Sequence, residues 1–330
     1  ITKRNILESI MNEYYSSKDN DFKNLICKFS LKDDIDFVNV IMNLSNKIDL
    51  KYDREEFLDN YMRKYYSEEF INSLIDEYIT KVYEQFNYFK ELILEIESLL
   101  DEDKLKKMIS STCQILKCNN YEEIASNIKL FDLPRANGYD DDAKEINEKI
   151  KMTRDELKKM CIYDSTESIK NELMSTYTDT SVIVNILAEL NRRMSLKKSQ
   201  EGLYDFNDIS HLAIKLVKEH HDICSEIKSS FKEILIDEYQ DTSDTQETFI
   251  SLISDHNVYM VGDIKQSIYR FRNANPYIFK NKYDVYSVDE KAGFKIDLNK
   301  NFRSREEVLS NINLLFCDVM DDEIGGADYK

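Results

Sequence analysis

The chain has 330 residues, enough for two domains, and 42% of them are hydrophobic, so it can bury a substantial core. Its formal net charge of −18 excludes a surface that is basic on every side, although it allows a local basic track. The chain contains six glycines and two prolines. An average chain of this length would carry about 23 glycines, so the composition favours long helices with few tight turns.

The six cysteines are isolated: none forms a CxxC pair, and no histidine is spaced to complete a zinc site. We interpret them as reduced thiols of a cytoplasmic protein. The sequence shows no apolar run of membrane-spanning length and no signal peptide, so we expect no membrane contact. It does not begin with Met, and we expect an internal fragment of a longer protein.

Residues 1–200 show helical periodicity almost throughout. In the stretch 67–100, apolar residues recur every three or four positions and draw one stripe along a helix. The stripe consists of Phe70, Leu74, Tyr78, Val82, Phe86, Phe89, Leu92 and Ile96. Ser67, followed by Glu68 and Glu69, favours a helix start.

Other amphipathic runs lie near 3–15, 34–46, 53–66, 102–117, 120–131, 141–162 and 167–195. The heptads are not sustained, which favours a helical bundle over a coiled coil. The segment LPRANGYDDDAK, 133–144, contains a proline, a glycine and an acidic cluster, and predicts a loop.

Beyond residue 200, where five of the six glycines lie, short apolar runs alternate with helix signals. The predicted strands are Ile234–Ile236, 258–261 and 294–298. The predicted helices run to about 254, 286 and 319, and begin at the capping box Ser243/Gln246, the pair Asn275–Pro276 and the capping box Ser304/Glu307. This alternation predicts a parallel sheet covered by helices, an α/β domain beside an all-α region.

Polar peptides follow each predicted strand: DEYQDT at 237–242, GDIKQS at 262–267 and NKNFRSR at 299–305. Ligands of open parallel sheets bind at the carboxyl ends of the strands, so we expect the three peptides to converge at one edge. Paired carboxylates, a Gln, a Lys and two Arg suit a magnesium-bound triphosphate. Stabilisation of a helix dipole is the ordinary alternative, and it suffices by itself for Asp241 and Asp244.

DEYQDT, VGDIKQSIYRFR and NFRSR resemble motifs II, III and IV of superfamily-1 helicases of the UvrD/Rep type. MVGDIKQSIYRFR and KIDLNKNFRSR are similar in particular to the A subunits of bacterial AddAB helicase–nucleases. The strong motifs cover about residues 204–310. The resemblance implies that 201–330 form the C-terminal part of a RecA-like P-loop NTPase domain, 1A, and that 1–200 form its large helical insertion, subdomain 1B.

The resemblance also implies ATP and Mg²⁺ as cofactors. It makes Asp237 the residue that holds magnesium through water and Glu238 the general base. Gln266 would contact the γ-phosphate, and Arg303 would act as an arginine finger with Phe302 near the adenine. The full set of implied ATP-site residues is Asp237, Glu238, Gln240, Asp241, Gln266, Phe302 and Arg303. Within this set, the role implied for Gln240 and Asp241 is to link the nucleotide site to the rest of the motor.

Aromatic and basic residues alternate at Tyr269, Arg270, Phe271 and Arg272, a pattern that suits base stacking beside phosphate pairing. The segment 262–305 holds ten Lys and Arg residues against five Asp and Glu residues, a basic track in an acidic chain. An ordinary amphipathic edge is the alternative. The resemblance implies that Tyr269 and Phe271 stack on single-stranded DNA. The family pattern has Trp at the second position, so weaker stacking is expected here.

YDFNDIS, 204–210, also resembles a family element. Asp205 and Asp208 are spaced as a helix cap and its third residue, so we interpret this stretch as mainly structural. The family's phosphate-binding loop, GxxxxGK[ST], is absent from the sequence, in which no glycine precedes a lysine. We expect that loop before residue 1, and motifs V and VI and any nuclease domain after residue 330, so the isolated fragment should be inactive.

The leading functional hypothesis is a fragment of an ATP-dependent 3′–5′ DNA helicase within a helicase–nuclease that processes double-strand breaks for recombination. The expected partners are a second, B-type subunit together with single-stranded and duplex DNA. The alternatives are a UvrD/PcrA-like repair helicase without nuclease and a non-enzymatic helical module with a degenerate ATPase remnant. Residues 1–230 carry a net charge near −11, so partner binding or a spacer role for the helical region is as open as contact with duplex DNA.

Overall fold

The computed structural model describes residues 3–30, 32–289 and 292–320. The chain divides into two compact units. The first unit comprises residues 1–37 and 56–190, and the second comprises 38–55 and 191–330. Residues 38–55 therefore group with the C-terminal part of the chain rather than with their neighbours in sequence.

The described residues up to 201 are almost entirely helical, as the periodicity predicts. The helices are α1 (Lys3–Ser17), α2 (Asn20–Phe29), α3 (Ile35–Ile48), α4 (Arg54–Tyr65), α5 (Glu68–Glu97), α6 (Glu102–Thr112), α7 (Tyr121–Leu130), α8 (Asp141–Met160), α9 (Thr166–Ser175) and α10 (Tyr177–Glu201). Short polar caps set several of these starts. At α5, the Ser67 hydroxyl accepts the Phe70 N–H at 3.2 Å, which confirms the predicted cap.

The core of the first unit is built around α5, which packs against α6, α7, α8 and α9. Val82, Phe89, Ile93 and Ile96 are fully buried along its inner face, and the Phe89 ring meets the Phe131 ring edge-on at 5.6 Å. Burial of each such side chain contributes roughly 1.5–3 kcal/mol. The predicted stripe is therefore confirmed in the second half of α5. In the first half, Leu74 is exposed and Ile71 and Ile75 are buried in its place.

Two of the predicted helix spans were wrong. The run 167–195 is not one helix, since α9 ends at Ser175 and α10 starts at Tyr177. At the break, the Thr176 hydroxyl donates to the carbonyl oxygen of Leu173. The predicted helix 102–117 ends at Thr112, and a 3₁₀ turn, Ile115–Lys117, follows. The predicted loop is confirmed over 133–140, after which the Asp140 cap starts α8.

The described residues of the second unit contain two parallel strands, β1 (Ile234–Ile236) and β2 (Val258–Met260), with Leu235 opposite Tyr259. Its further helices are α11 (Phe206–Glu219), α12 (His221–Ser230), α13 (Asp244–Ile253), α14 (Pro276–Val288) and α15 (Glu306–Val319). The Ser243/Gln246 capping box and the Asn275 cap are confirmed. So is the Asp205/Asp208 capping box at the start of α11.

The predicted strand at 294–298 was wrong, because that segment pairs with neither strand of the described sheet. Phe294, Ile296 and Leu298, which alternate with Lys295 and Asp297, are 78%, 61% and 78% exposed. The polar face is the one that makes contact: Lys295 lies 4.0 Å over the Tyr283 ring of α14. A period of two predicts that two faces differ, but it does not say which one finds a neighbour.

The start of α15 was also predicted wrongly. The residue that precedes its first turn is Arg305, which makes no side-chain capping bond, so Ser304 and Glu307 do not form a capping box. The side chain of Asn301 accepts the N–H groups of Arg303 and Ser304 at 2.9 and 2.8 Å. This side-chain turn competes with helical bonding and delays the helix to Glu306.

Few apolar side chains of the second unit are buried. In the described residues they are Val38, Ile41, Ile214, Val217, Tyr239, Ile253 and Ala274. Leu235 and Tyr259, side by side on one face of the sheet, are 70% and 53% exposed. None of the helices in the described part of the chain is both long and apolar enough to cross a bilayer.

Candidate functional site

The carboxylates after β1 lie on a sharply turned backbone. Glu238 adopts the left-handed conformation, with φ 49° and ψ 46°, which is unusual for a residue with a side chain. The Glu238 N–H donates to Oδ1 of Asp237 at 2.9 Å, and both carboxylates are exposed at the strand end. The Tyr239 N–H then donates to the carbonyl oxygen of Val261 at 2.8 Å. The turn thus presents two acids to solvent while the next residue returns to the sheet.

The side-chain amide of Gln240 bridges the first two predicted peptides. Gln240 is 1% exposed, its Nε2 donates to Oε2 of Glu238 at 2.6 Å, and its Oε1 accepts the Asp263 N–H at 3.0 Å. Gly262 makes this approach possible, because a Cβ there would lie 2.6 Å from Oε1 of Gln240. The peptides 237–242 and 262–267 therefore meet at the carboxyl ends of β1 and β2, as the sequence predicts.

Gln266 also lies at the carboxyl ends of β1 and β2, the edge of the sheet that we call the rim. Its Nε2 donates to Oδ2 of Asp263 at 3.1 Å, while Oδ1 of Asp263 accepts the Lys265 N–H at 3.0 Å. Asp241 is half-buried, and its Oδ1 is buried without a hydrogen-bond partner in the described residues. A buried carboxylate oxygen without a donor is costly, so this atom fits a site that accepts a further group.

The third peptide, 299–305, is not joined to this rim by hydrogen bonds or ion pairs within the described residues. Its side-chain hydrogen bonds are local and centre on Asn301. Phe302 is 92% exposed and Arg303 is exposed. Their approach to the carboxylates stays a prediction.

The aromatic–basic turn, residues 269–272, follows the same rim. The Tyr269 and Phe271 rings lie 5.8 Å apart, and the Arg272 guanidinium lies 5.1 and 5.6 Å from the two ring centres. Asn273 ends the turn in the left-handed region at φ 67°. Phe271 is 76% exposed. Phe271 and Arg272 are thus exposed, with Tyr269 less so at 37%, and aromatic rings beside a cation can stack on bases and pair with phosphate.

Sequence reasoning missed the residues that fasten the two loops. The Asn275 N–H donates to the carbonyl oxygen of Thr242 at 2.9 Å, and its side-chain amide donates to Oδ1 of Asp244 at 2.9 Å. Asn275 was predicted only as a cap of α14, which it also is. The sequence pattern gives no sign of these bonds, because each joins two residues that are distant in the chain.

In the described residues, no three His, Cys, Asp or Glu side chains are grouped to hold a metal ion. Magnesium is commonly bound by one or two carboxylates together with waters and substrate phosphates. The donors at this rim, the carboxylates of Asp237 and Glu238, are of the oxygen type that magnesium prefers.

Residues 89–287 match the UvrD/REP helicase N-terminal domain, which is more than half of the chain. The chain belongs to the UvrD/REP helicase family. The match begins inside α5, so this UvrD/REP-type domain includes much of the helical unit as well as both strands. It ends before the peptide 299–305.

Three relatives are each named as the A subunit of an ATP-dependent helicase/nuclease. The protein from Ruminiclostridium cellulolyticum is 34% identical over 281 residues, 79% of this chain and 22% of the relative. The one from Staphylococcus haemolyticus is 34% identical over 302 residues, covering 83% and 24%. The one from Thermoanaerobacter sp. is 36% identical over 236 residues, covering 66% and 19%. The chain thus spans between a sixth and a quarter of the length of such relatives.

Proposed function

We propose that this chain supplies the carboxylate side of a magnesium–ATP site and the single-stranded DNA contact of an ATP-dependent 3′–5′ DNA helicase. The helicase would belong to a helicase–nuclease that processes double-strand breaks for recombinational repair. Family membership and the relatives' names support this activity. The observation that carries the proposal is the bridge made by Gln240, which fixes the carboxylate loop against the loop leading to the aromatic–basic turn.

The geometry fits the roles proposed for the two acids. One oxygen of the exposed Asp237 side chain accepts the Glu238 N–H, and the other would accept a magnesium-bound water. Glu238, held by the Gln240 amide, would act as the general base for the attacking water. Bound magnesium would neutralise charge on the transferring phosphoryl group.

The remaining ATP-site residues complete the proposal. Gln266, which donates to Asp263, would sense the terminal phosphate. Arg303 would stabilise the developing charge, and Phe302 would lie near the adenine. Asp241, with its buried and unpartnered oxygen, would accept a bond from the rest of the motor once nucleotide is bound.

Binding of single-stranded DNA by the purified chain tests the aromatic–basic turn. We expect a fluorescent oligo-dT of about 20 nucleotides to bind, and Phe271→Ala to weaken binding by about tenfold because one stacked base loses its platform. Arg272→Gln should lower the salt dependence by about one phosphate contact. Fluorescence anisotropy measures both.

Phe294→Ala is the matched control, since Phe294 is an equally exposed aromatic of the same unit outside the turn. Equal losses in Phe271→Ala and Phe294→Ala would contradict the assignment of the DNA contact.

ATP turnover gives a second test. Because the 330 residues contain no GxxxxGK[ST] loop, we expect no DNA-stimulated hydrolysis from this chain by itself. Turnover that Glu238→Gln abolishes would contradict that expectation while supporting the assignment of the base.

We further propose that residues 201–330 form part of a RecA-like domain 1A and that 1–200 form a helical subdomain of the 1B type. The family match, which runs from α5 to α14, supports the assignment of both parts to one helicase domain. For the helical part we propose contact with a second, B-type subunit or with duplex DNA, or a spacer role.

A further inference from the structure

The left-handed backbone at Glu238 requires an explanation from its surroundings. A residue with a side chain stays in this conformation only when neighbouring contacts over-determine it. Asp237, on one side, is exposed and offers a single local bond to the Glu238 N–H. The restraint must therefore come mainly from Gln240, already described, and from Tyr239.

Tyr239 is the most firmly held residue of the acidic loop, residues 237–242. Its side chain is fully buried, and its ring meets the Phe279 ring of α14 edge-on at 5.9 Å. Its hydroxyl donates to Oε2 of Glu247 in α13. Burial, followed by the bond to Glu247, raises the pKa of this hydroxyl, so it remains a donor at any ordinary pH.

Glu247 also links Tyr239 to α14 through an ion pair. Its second oxygen, Oε1, pairs with Nζ of Lys282 at 2.7 Å, and the same ammonium group lies 5.3 Å over the Tyr239 ring. The side chains of Glu247 and Lys282 are 19% and 27% exposed, so water screens the pair less than it would a surface pair. Hydroxyl, carboxylate and ammonium are thus linked in the Tyr239–Glu247–Lys282 triad, and the Ser251 hydroxyl donates to the same Oε1 of Glu247 at 3.2 Å.

The helix that carries Lys282 is also the helix into which the aromatic–basic turn leads. Asn275 starts α14 and donates to Thr242 and Asp244. The acidic loop and the aromatic–basic turn are therefore attached to the same two helices, α13 and α14. The triad holds those helices together within the second unit.

We infer that Tyr239, Glu247 and Lys282 are positioning residues. They hold the acidic loop and the aromatic–basic turn in a fixed arrangement relative to each other. This inference rests on the proposed function, because the acidic loop is the proposed ATP contact and the aromatic–basic turn is the proposed DNA contact. A displacement of the Glu238 turn is then transmitted to the DNA-contacting rings through the Glu247–Lys282 ion pair and the Asn275–Asp244 hydrogen bond, which join α13 to α14.

Hydrogen exchange of the 330-residue chain, followed by mass spectrometry, tests the triad without depending on any ligand. Tyr239→Phe removes only the hydroxyl, and Lys282→Met removes the charge but keeps the stem. We expect each to speed exchange in 237–243 and in 268–275 by about tenfold, the worth of one charge-assisted hydrogen bond. The double variant should exchange no faster than about the larger single effect, because both changes act through Glu247.

Tyr259→Phe is the matched control, a half-exposed tyrosine on β2 expected to leave exchange unchanged. Lys282→Arg, which keeps the cation, should restore exchange towards the native rate. Faster exchange in the acidic loop alone would overturn the inference. An equal rise across α11 and α12 would overturn it as well, since that is the result of general destabilisation.

Anisotropy with oligo-dT separates this inference from the proposed function. We expect both triad variants to weaken binding severalfold while Tyr259→Phe does not. If the native chain fails to bind oligo-dT, the proposed DNA contact fails, and exchange still decides whether the triad couples the two turns. If the native chain binds and the triad variants change neither exchange nor binding, the triad fails and the proposed function stands.

Discussion

The two units differ sharply in how much apolar surface they bury. In the described residues, thirty-six apolar side chains are buried in the first unit and seven in the second. The proposed chemistry lies entirely in the second unit. The difference teaches that in this chain stability is concentrated in the helical unit, whereas the candidate site is held by hydrogen bonds, ion pairs and a few buried residues.

The largest expected effect is in the core of the first unit. Phe89→Ala removes a fully buried ring from α5, and we expect it to lower the free energy of unfolding by about 3–5 kcal/mol. Urea unfolding followed by circular dichroism measures this. Leu94→Ala, at a 62% exposed position on the same helix, is the control and should change little. Similar losses in both would mean that α5 does not have the buried face described.

In the second unit, we expect the largest loss from a charge rather than from an apolar group. The Asp208 side chain is 5% exposed and pairs with Arg54 at 3.2 Å and Lys198 at 2.5 Å. Asp208→Asn removes the carboxylate that Arg54 and Lys198 share. Because Arg54 keeps Asp49 and Lys198 keeps Asp205, we expect a loss of about 2–3 kcal/mol, the worth of the charge-assisted hydrogen bonds. Glu219→Gln breaks an exposed pair on the same helix and should cost less than about 1 kcal/mol. Equal costs would remove the contrast between buried and exposed pairs.

Thiol labelling compares a core position of the first unit with a partly exposed position of the second. Cys118 and Cys161 are buried in the first unit, whereas its Cys27 and Cys113 are exposed, and burial raises the pKa of the Cys161 thiol to about 11. Cys224 and Cys317 in the second unit are partly exposed. With iodoacetamide at pH 8, we expect Cys161 to react at least about tenfold more slowly than Cys317. Mass spectrometry of the labelled peptides decides it, and in urea the difference should vanish.

The smallest expected effect is a pH dependence within the second unit. Burial would raise the pKa of Asp208, but the bonds from Lys198, the Asp205 backbone and Arg54 outweigh it and hold that pKa below its ordinary value. This stabilisation is present above about pH 4 and is lost as the pH falls through the folded-state pKa. Burial, and then Arg54, likewise lower the pKa of His211, so stability should also fall as the pH drops below about 6.5.

Unfolding midpoints measured between pH 8 and pH 3 resolve the two steps. His211→Gln should abolish the first step. Asp208→Asn should reduce the second step without abolishing it, because the pKa values of Asp205 and Glu201 are also lowered. A first step that persists in His211→Gln would assign it to another group.

The sequence predicted those features that local chemistry decides. The Ser67 and Ser243 caps, the buried half of α5 and the parallel pair β1–β2 follow from residue type and spacing, so they were readable. The strand predicted at 294–298 was wrong, because a short apolar run does not show whether a neighbouring strand is there to pair with it. The bridge of Gln240 and the triad around Glu247 depend on contacts between distant residues, which one sequence does not reveal.

Gly262 has a consequence for how this rim can vary. A single methyl group at that position would intrude on the Gln240 amide oxygen and wedge the two loops apart. In a saturation library selected for an intact rim, every codon at 262 other than glycine should be depleted, including alanine. Gly262, which has no side chain, would then be the position of the second unit that tolerates the fewest substitutions.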